Sequence, residues 1–163
     1  ESYQAWLANG ITLMKTGELE KAEAAVKKAL AFNPESARAR FLLGRIYRKK
    51  GNFPDAEKKL KNALDYAPHS LDIREELGLI YQRSRRFDQA IAIYRQALEL
   101  DPGNTRIRYN LALAYWRAGK LDSAAGELSR VIDLVDDPRT KKLMNYYLRL
   151  IRKDKQAGII QDD

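Results

Sequence analysis

The chain has 163 residues, of which 45% are hydrophobic and 32% charged, a composition that suits one soluble folded domain and excludes an intrinsically disordered chain. It contains no cysteine, which excludes disulfides, thiolate metal sites and cysteine nucleophiles, and no apolar run approaches the roughly 20 residues of a membrane span. The formal net charge of +8 favours acidic partners. Because the sequence starts at Glu1 rather than at methionine, we expect a processed chain or an excised fragment. We favour a cytoplasmic domain, with a periplasmic part of a larger protein as the alternative.

Several residue types recur along the chain at one constant interval. The recurring positions form a proline column (Pro34, Pro68, Pro102), a glycine column (Gly10, Gly44, Gly78, then Ala112) and an alanine column (Ala22, Ala56, Ala90, Ala124). A fixed period of this length predicts tandem structural repeats. We divide the chain into four repeats, which comprise residues 3–36, 37–70, 71–104 and 105–138.

Each repeat is predicted to contain two helices joined by a tight turn. In the second repeat, apolar or small residues follow a helical stripe from Ala37 to about Lys50, and Gly51 and Asn52 interrupt it. Pro54 then stands where the first turn of a helix accepts proline, and a second stripe continues until Pro68. In the third repeat Arg85 replaces the glycine of this turn, a substitution that we expect to be slightly unfavourable.

A further amphipathic helix is predicted after the fourth repeat, at residues 139–156. Its apolar stripe comprises Leu143, Met144, Tyr147, Leu150 and Ile151. Such a helix would cover the exposed face of the last repeat, as the ends of repeat arrays require. Residues 158–163 are predicted to be a tail.

The columns resemble the tetratricopeptide repeat family, which has a 34-residue period and a pattern of tryptophan, leucine-glycine, tyrosine, alanine and proline. The second repeat carries the matching residues Leu43, Gly44, Tyr47, Ala56, Ala63 and Pro68. The resemblance covers residues 3 to about 136. It implies an all-α fold, a right-handed superhelical α-solenoid of antiparallel helix pairs, with residues 1–157 as a single domain.

In that family the inner, concave face is lined by the first helix of each repeat, so the resemblance also implies a set of partner-binding residues. The candidates are Leu7, Ile11, Met14, Arg38, Phe41, Arg45, Arg48, Glu75, Gln82, Arg106, Tyr109, Trp116 and Arg117. Arginines and aromatic side chains are enriched at binding hot spots. We expect this groove to bind a peptide segment or partner protein with acidic and apolar residues, and we expect Trp116 to have no role in the core.

The sequence offers no catalytic constellation: His69 is the only histidine, and no paired histidines, phosphate-cradling glycine loop or serine elbow is present. We therefore predict a non-catalytic interaction scaffold without metal or cofactor. Three other partners stay open. The basic and aromatic residues at 106, 109, 116 and 117 could bind nucleic acid, the basic terminal helix could contact a membrane surface, and the first repeat, around Trp6, could self-associate.

Overall fold

The computed structural model describes residues 2–158; Glu1 and residues 159–163, which include most of the predicted tail, lie outside the described residues. Within residues 2–158 the chain forms nine helices and no strand. The helices are α1 (Tyr3–Thr16), α2 (Leu19–Phe32), α3 (Ala37–Lys49), α4 (Phe53–Tyr66), α5 (Leu71–Arg83), α6 (Phe87–Leu100), α7 (Thr105–Arg117), α8 (Leu121–Leu134) and α9 (Pro138–Gln156). None of these helices is both long and apolar enough to cross a lipid bilayer.

Short polar side chains fix where several helices begin. Ser2, Ser36 and Asn104 each precede a helix and accept a hydrogen bond from the backbone N–H three residues later. This satisfies one of the donors that a helix leaves open at its N-terminus. Asp137 does the same for α9, which begins at Pro138, one residue earlier than predicted, because the first turn of a helix tolerates proline.

The turn inside a helix pair requires a left-handed backbone conformation. Gly17, Gly51 and Gly119 have φ values of 86°, 78° and 83° at this turn. Arg85 occupies the corresponding place between α5 and α6 with a φ of 59°, although its side chain disfavours that conformation. The expectation that arginine is unfavourable here therefore has a structural basis.

The chain divides into two compact units, of which the first comprises Glu1–Ile80. In this unit α1 packs on α2, α2 on α3, and α3 on α4, and the side chains of Val26, Leu43 and Leu60 are fully buried. A polar contact also joins α2 to α3, since the Tyr47 hydroxyl donates a hydrogen bond of 2.9 Å to Glu23.

The second unit comprises Tyr81–Asp163. Here α6 packs on α7, α7 on α8, and α8 on α9. Its core cluster contains buried residues of α7 and α8 together with Met144, Leu148 and Ile151 of α9. Met144 and Ile151 of the predicted apolar stripe are thus buried against the fourth helix pair, and Leu148, which was not predicted, is buried with them. The prediction was wrong for Leu143, which is 46% exposed because it lies at the edge of the buried face.

Candidate functional site

The first unit contains a groove of about 660 Å³ between α1, α3 and the start of α5. We call it the first groove; it is lined by Ile11, Met14, Lys15, Ala37, Arg38, Phe41, Leu42, Arg45, Lys49, Ala67, Ser70, Asp72 and Ile73. Five of the predicted partner-binding residues meet there, namely Ile11, Met14, Arg38, Phe41 and Arg45.

The rim of the first groove is basic. Lys15, Arg38 and Lys49 are exposed, and the described residues supply none of the three with an ion-pair partner. The lining includes one carboxylate, that of Asp72. Exposed cations beside an apolar floor can attract a carboxylate-bearing ligand while the floor takes up its apolar side chains.

Two of the predicted arginines are engaged within the chain. Arg48 Nε donates a hydrogen bond of 2.7 Å to Glu76 Oε2, and Arg45 Nε lies 3.2 Å from Glu76 Oε1. Glu76 is buried, with 8% of its surface exposed, so these two cations neutralise a carboxylate that burial would otherwise penalise. Arg48 therefore joins α3 to α5 and is not among the residues that line the first groove, whereas the guanidinium of Arg45 remains partly exposed there.

Other candidates are divided between core and surface. Leu7 and Met14 are each only 5% exposed and belong to the core of the first unit, although Met14 also reaches the floor of the first groove. Gln82 is buried in the second unit, where its Nε2 donates a hydrogen bond of 2.9 Å to the Asn110 carbonyl. Glu75 of α5 is half-buried.

The second unit carries an aromatic patch, which we define as Tyr109, Leu113, Trp116, Arg117 and Tyr147. The Tyr147 ring of α9 lies 5.9 Å from Tyr109 and 6.1 Å from Trp116, measured between ring centroids. Such tilted and edge-on pairs stabilise one another beyond their buried area. Arg117 is exposed at the border of this patch, and Arg106 is exposed one turn before Tyr109 on α7.

The expectation that Trp116 has no core role is wrong. Trp116 packs against the core cluster of the second unit, and its Nε1–H donates a hydrogen bond of 3.0 Å to Asp154 of α9. Trp116 therefore also stabilises the packing of α9 on the second unit. A loss of binding after substitution of Trp116 would not by itself identify a contact with a partner.

Burial first, and then the hydrogen bond with the Tyr147 side chain, raises the pKa of Tyr109 to about 12. Its hydroxyl is therefore protonated at neutral pH and acts as a hydrogen-bonding group rather than as a base. The patch can contribute apolar area and hydrogen bonds, which are the properties of a recognition surface.

Sequence reasoning missed Lys15 and Lys49 as members of the first groove, and Tyr147 as a member of the aromatic patch. The signal for Tyr147 was available, because it stands one repeat period after Leu113 and so continues the inner-face column into α9. Tyr147 was predicted only as part of a helix that covers the last repeat, so its place in the inner-face column was not recognised.

Comparison with known proteins agrees with the helix-pair architecture. A tetratricopeptide repeat model matches residues 81–145, and a model of the C-terminal ARM domain of tetratricopeptide repeat protein 21 matches residues 1–112. No curated protein matches the sequence.

Solved structures with a similar fold include MamA, with 26% identity, a TM-score of 0.75, and coverage of 81% of this chain and 77% of that chain. YrrB, described as a TPR protein with an unusual peptide-binding site, has 23% identity and a TM-score of 0.74, over 94% of this chain and 77% of its own. PilF of Pseudomonas aeruginosa has 21% identity and a TM-score of 0.79, over 93% and 69%.

These similarities confirm the predicted fold class, an all-α solenoid of helix pairs. One family model spans more than half of the chain, and both matching models describe tetratricopeptide repeat proteins. The chain therefore belongs to the tetratricopeptide repeat family.

Proposed function

We propose that this chain is a non-catalytic interaction scaffold and that its first groove binds a segment of a partner protein with acidic and apolar residues. Membership of the tetratricopeptide repeat family supports the general role, because repeat proteins of this kind serve as binding surfaces. The observation that carries the specific proposal is the basic rim of Lys15, Arg38 and Lys49 around an apolar floor.

The rim and the floor contribute differently to binding. Each exposed ion pair between the rim and a carboxylate contributes only about 0.2–1 kcal/mol, so the charges chiefly select the ligand and accelerate its association. Most of the affinity comes from apolar side chains that pack on Ile11 and Phe41, which are both half-buried in the free protein. A ligand therefore needs both kinds of residue.

The aromatic patch of the second unit is the other recognition surface that we propose. Its rings are held by their packing on α9, so little conformational entropy is lost when a ligand binds. With Arg117 beside it, it suits an apolar or aromatic side chain flanked by a carboxylate.

A peptide selection tests the proposal. Random dodecapeptides would be selected on the whole chain, and the affinities of the enriched peptides measured by fluorescence anisotropy. We expect enrichment of aspartate and glutamate next to leucine, phenylalanine or other apolar residues. The double variant Arg38→Glu/Lys49→Glu should bind them about ten-fold more weakly, because two exposed attractions become repulsions.

The double variant Lys58→Glu/Lys59→Glu is the matched control, since it makes the same change in net charge on α4, outside the first groove. It should retain the affinity of the parent chain, and added salt should weaken binding to the parent. Selected peptides without acidic residues, or equal affinity for the groove variant and the parent, would overturn the proposal.

A further inference from the structure

By its place in the repeat, α9 corresponds to the first helix of a helix pair. Its outer face is the one that would pack on the second helix of that pair, and residues 2–158 contain no such helix. In the fourth repeat, α7 turns Ala112 and Tyr115 toward α8, where they join Ala124 and Leu128 in the core cluster of the second unit. The α9 residues one repeat period after Arg108, Leu111, Ala112 and Tyr115 are Lys142, Asn145, Tyr146 and Arg149. A face that is buried on α7 is therefore exposed on α9, and its residues have become polar or basic.

The contact between α7 and α8 shows how a cation at this position is used. Arg108 Nη1 donates a hydrogen bond of 2.6 Å to Glu127 Oε2 of α8, and each side chain is only 12% exposed. Lys142 occupies the same repeat position as Arg108, but it is exposed, and no described residue forms an ion pair with it. The cation of the repeat is thus present on α9, and within residues 2–158 no second helix supplies a carboxylate to it.

The charge of α9 is also unbalanced, with seven cationic side chains and a single carboxylate. That carboxylate, Asp154, accepts the hydrogen bond from Trp116, and Lys155 pairs with Asp122 of α8. On α2 and α4, in contrast, lysines pair with glutamates one turn away, as Lys27 does with Glu23.

A shallow groove runs along this face of α9. It is lined by Pro138, Lys141, Lys142, Asn145, Leu148, Arg149 and Arg152. Pro138 and Leu148 supply a small apolar floor, and the other lining residues are cationic or polar.

We propose that this basic face of α9 is a second binding site, distinct from the first groove, for an acidic amphipathic helix of a partner protein. The docked helix lies on the face of α9 that corresponds to the α8-facing side of α7, but farther from the helix axis, with its carboxylates toward Lys142, Arg149 and Arg152 and a few apolar side chains on the floor. This is binding of a helix in a groove, with charge as the selecting property.

Tyr146 argues against a second copy of this chain as the occupant. It stands in the column of Gly10, Gly44, Gly78 and Ala112, where small residues let two helices approach closely. The Tyr146 ring would meet a helix packed as closely as α8 packs on α7, so the occupant must lie farther out. Long acidic side chains can bridge that distance, whereas the compact apolar face of another repeat helix cannot.

The exposed side chains of α9 also argue against a membrane surface. Two large apolar or aromatic side chains are exposed among the cations, Tyr146 at 48% and Leu143 at 46%, whereas Met144, Leu148 and Ile151 are buried in the core cluster, so α9 offers no continuous apolar face. A helix that lies on a bilayer normally inserts a continuous apolar face into the boundary between headgroups and acyl chains.

The test measures binding of a fluorescein-labelled, hydrocarbon-stapled helix of about five turns, which carries a stripe of glutamate flanked by leucine, with the whole chain as its target. The staple is needed because an isolated helix lacks the tertiary packing from which most helical stability comes. A peptide with glutamine in place of every glutamate is the ligand control. We expect the glutamate peptide to bind about ten-fold more tightly than the glutamine peptide.

Lys142→Glu/Arg149→Glu should lose about ten-fold in affinity for the glutamate peptide, because both side chains are exposed on the proposed site. Lys58→Glu/Lys59→Glu should bind as the parent does. The groove variant Arg38→Glu/Lys49→Glu should also bind normally, which separates this proposal from the first. Circular dichroism and the melting temperature of each variant report whether it folds, and the milder variants Lys142→Ala and Arg149→Ala should lose about half of the effect if the double variant does not fold.

Three results would each overturn the proposal. The first is equal affinity for the glutamate and glutamine peptides, and the second is unchanged affinity after Lys142→Glu/Arg149→Glu. The third is that vesicles of phosphatidylcholine and phosphatidylserine, or a single-stranded oligonucleotide, bind in an α9-dependent way while the acidic helix does not. Binding of the acidic helix with the stated dependence on Lys142 and Arg149 supports it.

Discussion

Gly44 is the position at which the close approach of two helices can be tested most directly. It lies in the middle of α3, and a Cβ added there would be 2.5 Å from Leu60 Cγ and 2.7 Å from Leu60 Cδ2. Favourable contacts between carbon atoms lie at about 3.5–4.0 Å. Because Leu60 is fully buried on α4, its side chain has little freedom to withdraw. Gly44→Ala should therefore force the two helices apart or push Leu60 out of its rotamer.

The magnitude follows from two opposing effects. Alanine stabilises a helix interior by about 1 kcal/mol relative to glycine, whereas inserting an extra carbon into a packed core costs about 1–3 kcal/mol. Gly126 provides the matched control, since it lies inside α8, is exposed, and has no atom within 4 Å of an added Cβ other than those of its chain neighbours and the nearby backbone of its own helix. Gly126→Ala should stabilise the protein by about 0.5–1 kcal/mol, because only the helix term applies. The difference between the two changes in the free energy of unfolding then gives the cost of overpacking alone, at about 1–3 kcal/mol.

Urea unfolding followed by far-UV circular dichroism measures both free energies of unfolding, and equal slopes would show that the two variants unfold to comparable states. A double-mutant cycle with Leu60→Ala adds a second criterion. The smaller side chain makes room for the new methyl group, so the cycle should show a coupling of about 1 kcal/mol or more. If Gly44→Ala stabilises the chain as much as Gly126→Ala does, or if the coupling is zero, the reasoning about close approach is wrong.

Two further variants test local features. Arg85→Gly should raise the free energy of unfolding by about 0.5–1 kcal/mol, measured as a higher urea midpoint, because glycine adopts the positive φ of this turn without strain. Burial acts to raise the pKa of Glu23, but hydrogen bonds from two lysines and Tyr47 outweigh it and lower that pKa to about 2 from an ordinary value of 4.5. The stability that this lowered pKa contributes is on the order of 1–2 kcal/mol after solvent screening. It is present above pH 4.5 and lost as the pH falls toward 2. Glu23→Gln should therefore flatten the pH dependence of the melting temperature in that range.

The secondary structure was predictable because each signal acts over a few residues. The polar residue before a helix, the glycine in a turn and the apolar stripe all operate within one or two turns of backbone, and the period repeats them four times. Even the unusual turn at Arg85 was visible, since an arginine in a column of glycines must adopt their backbone conformation or change the turn.

The roles of individual side chains at the site were less predictable, because they depend on which neighbour each one meets. The repeat period identifies the helix face on which Arg48 lies. Its partner Glu76 stands 28 residues later, which is not a multiple of the period, so the repeat pattern does not predict the contact between them. In the same way, the hydrogen bond between Trp116 and Asp154 depends on how α9 lies on the preceding helices. A helical pattern predicts the face on which a side chain lies but not the group that it contacts.

One column shows why a charge in the pattern does not by itself identify a site. Arg40, Arg74, Arg108 and Lys142 follow one another at the repeat period, so the sequence presents them as equivalent. The first two donate to the carbonyl oxygens of the serines four residues before them, and the third forms a nearly buried ion pair with Glu127. The fourth has the same place on its helix and is exposed. A repeated cation becomes a candidate for recognition where no carboxylate of the described residues neutralises it, and Lys142 is such a cation.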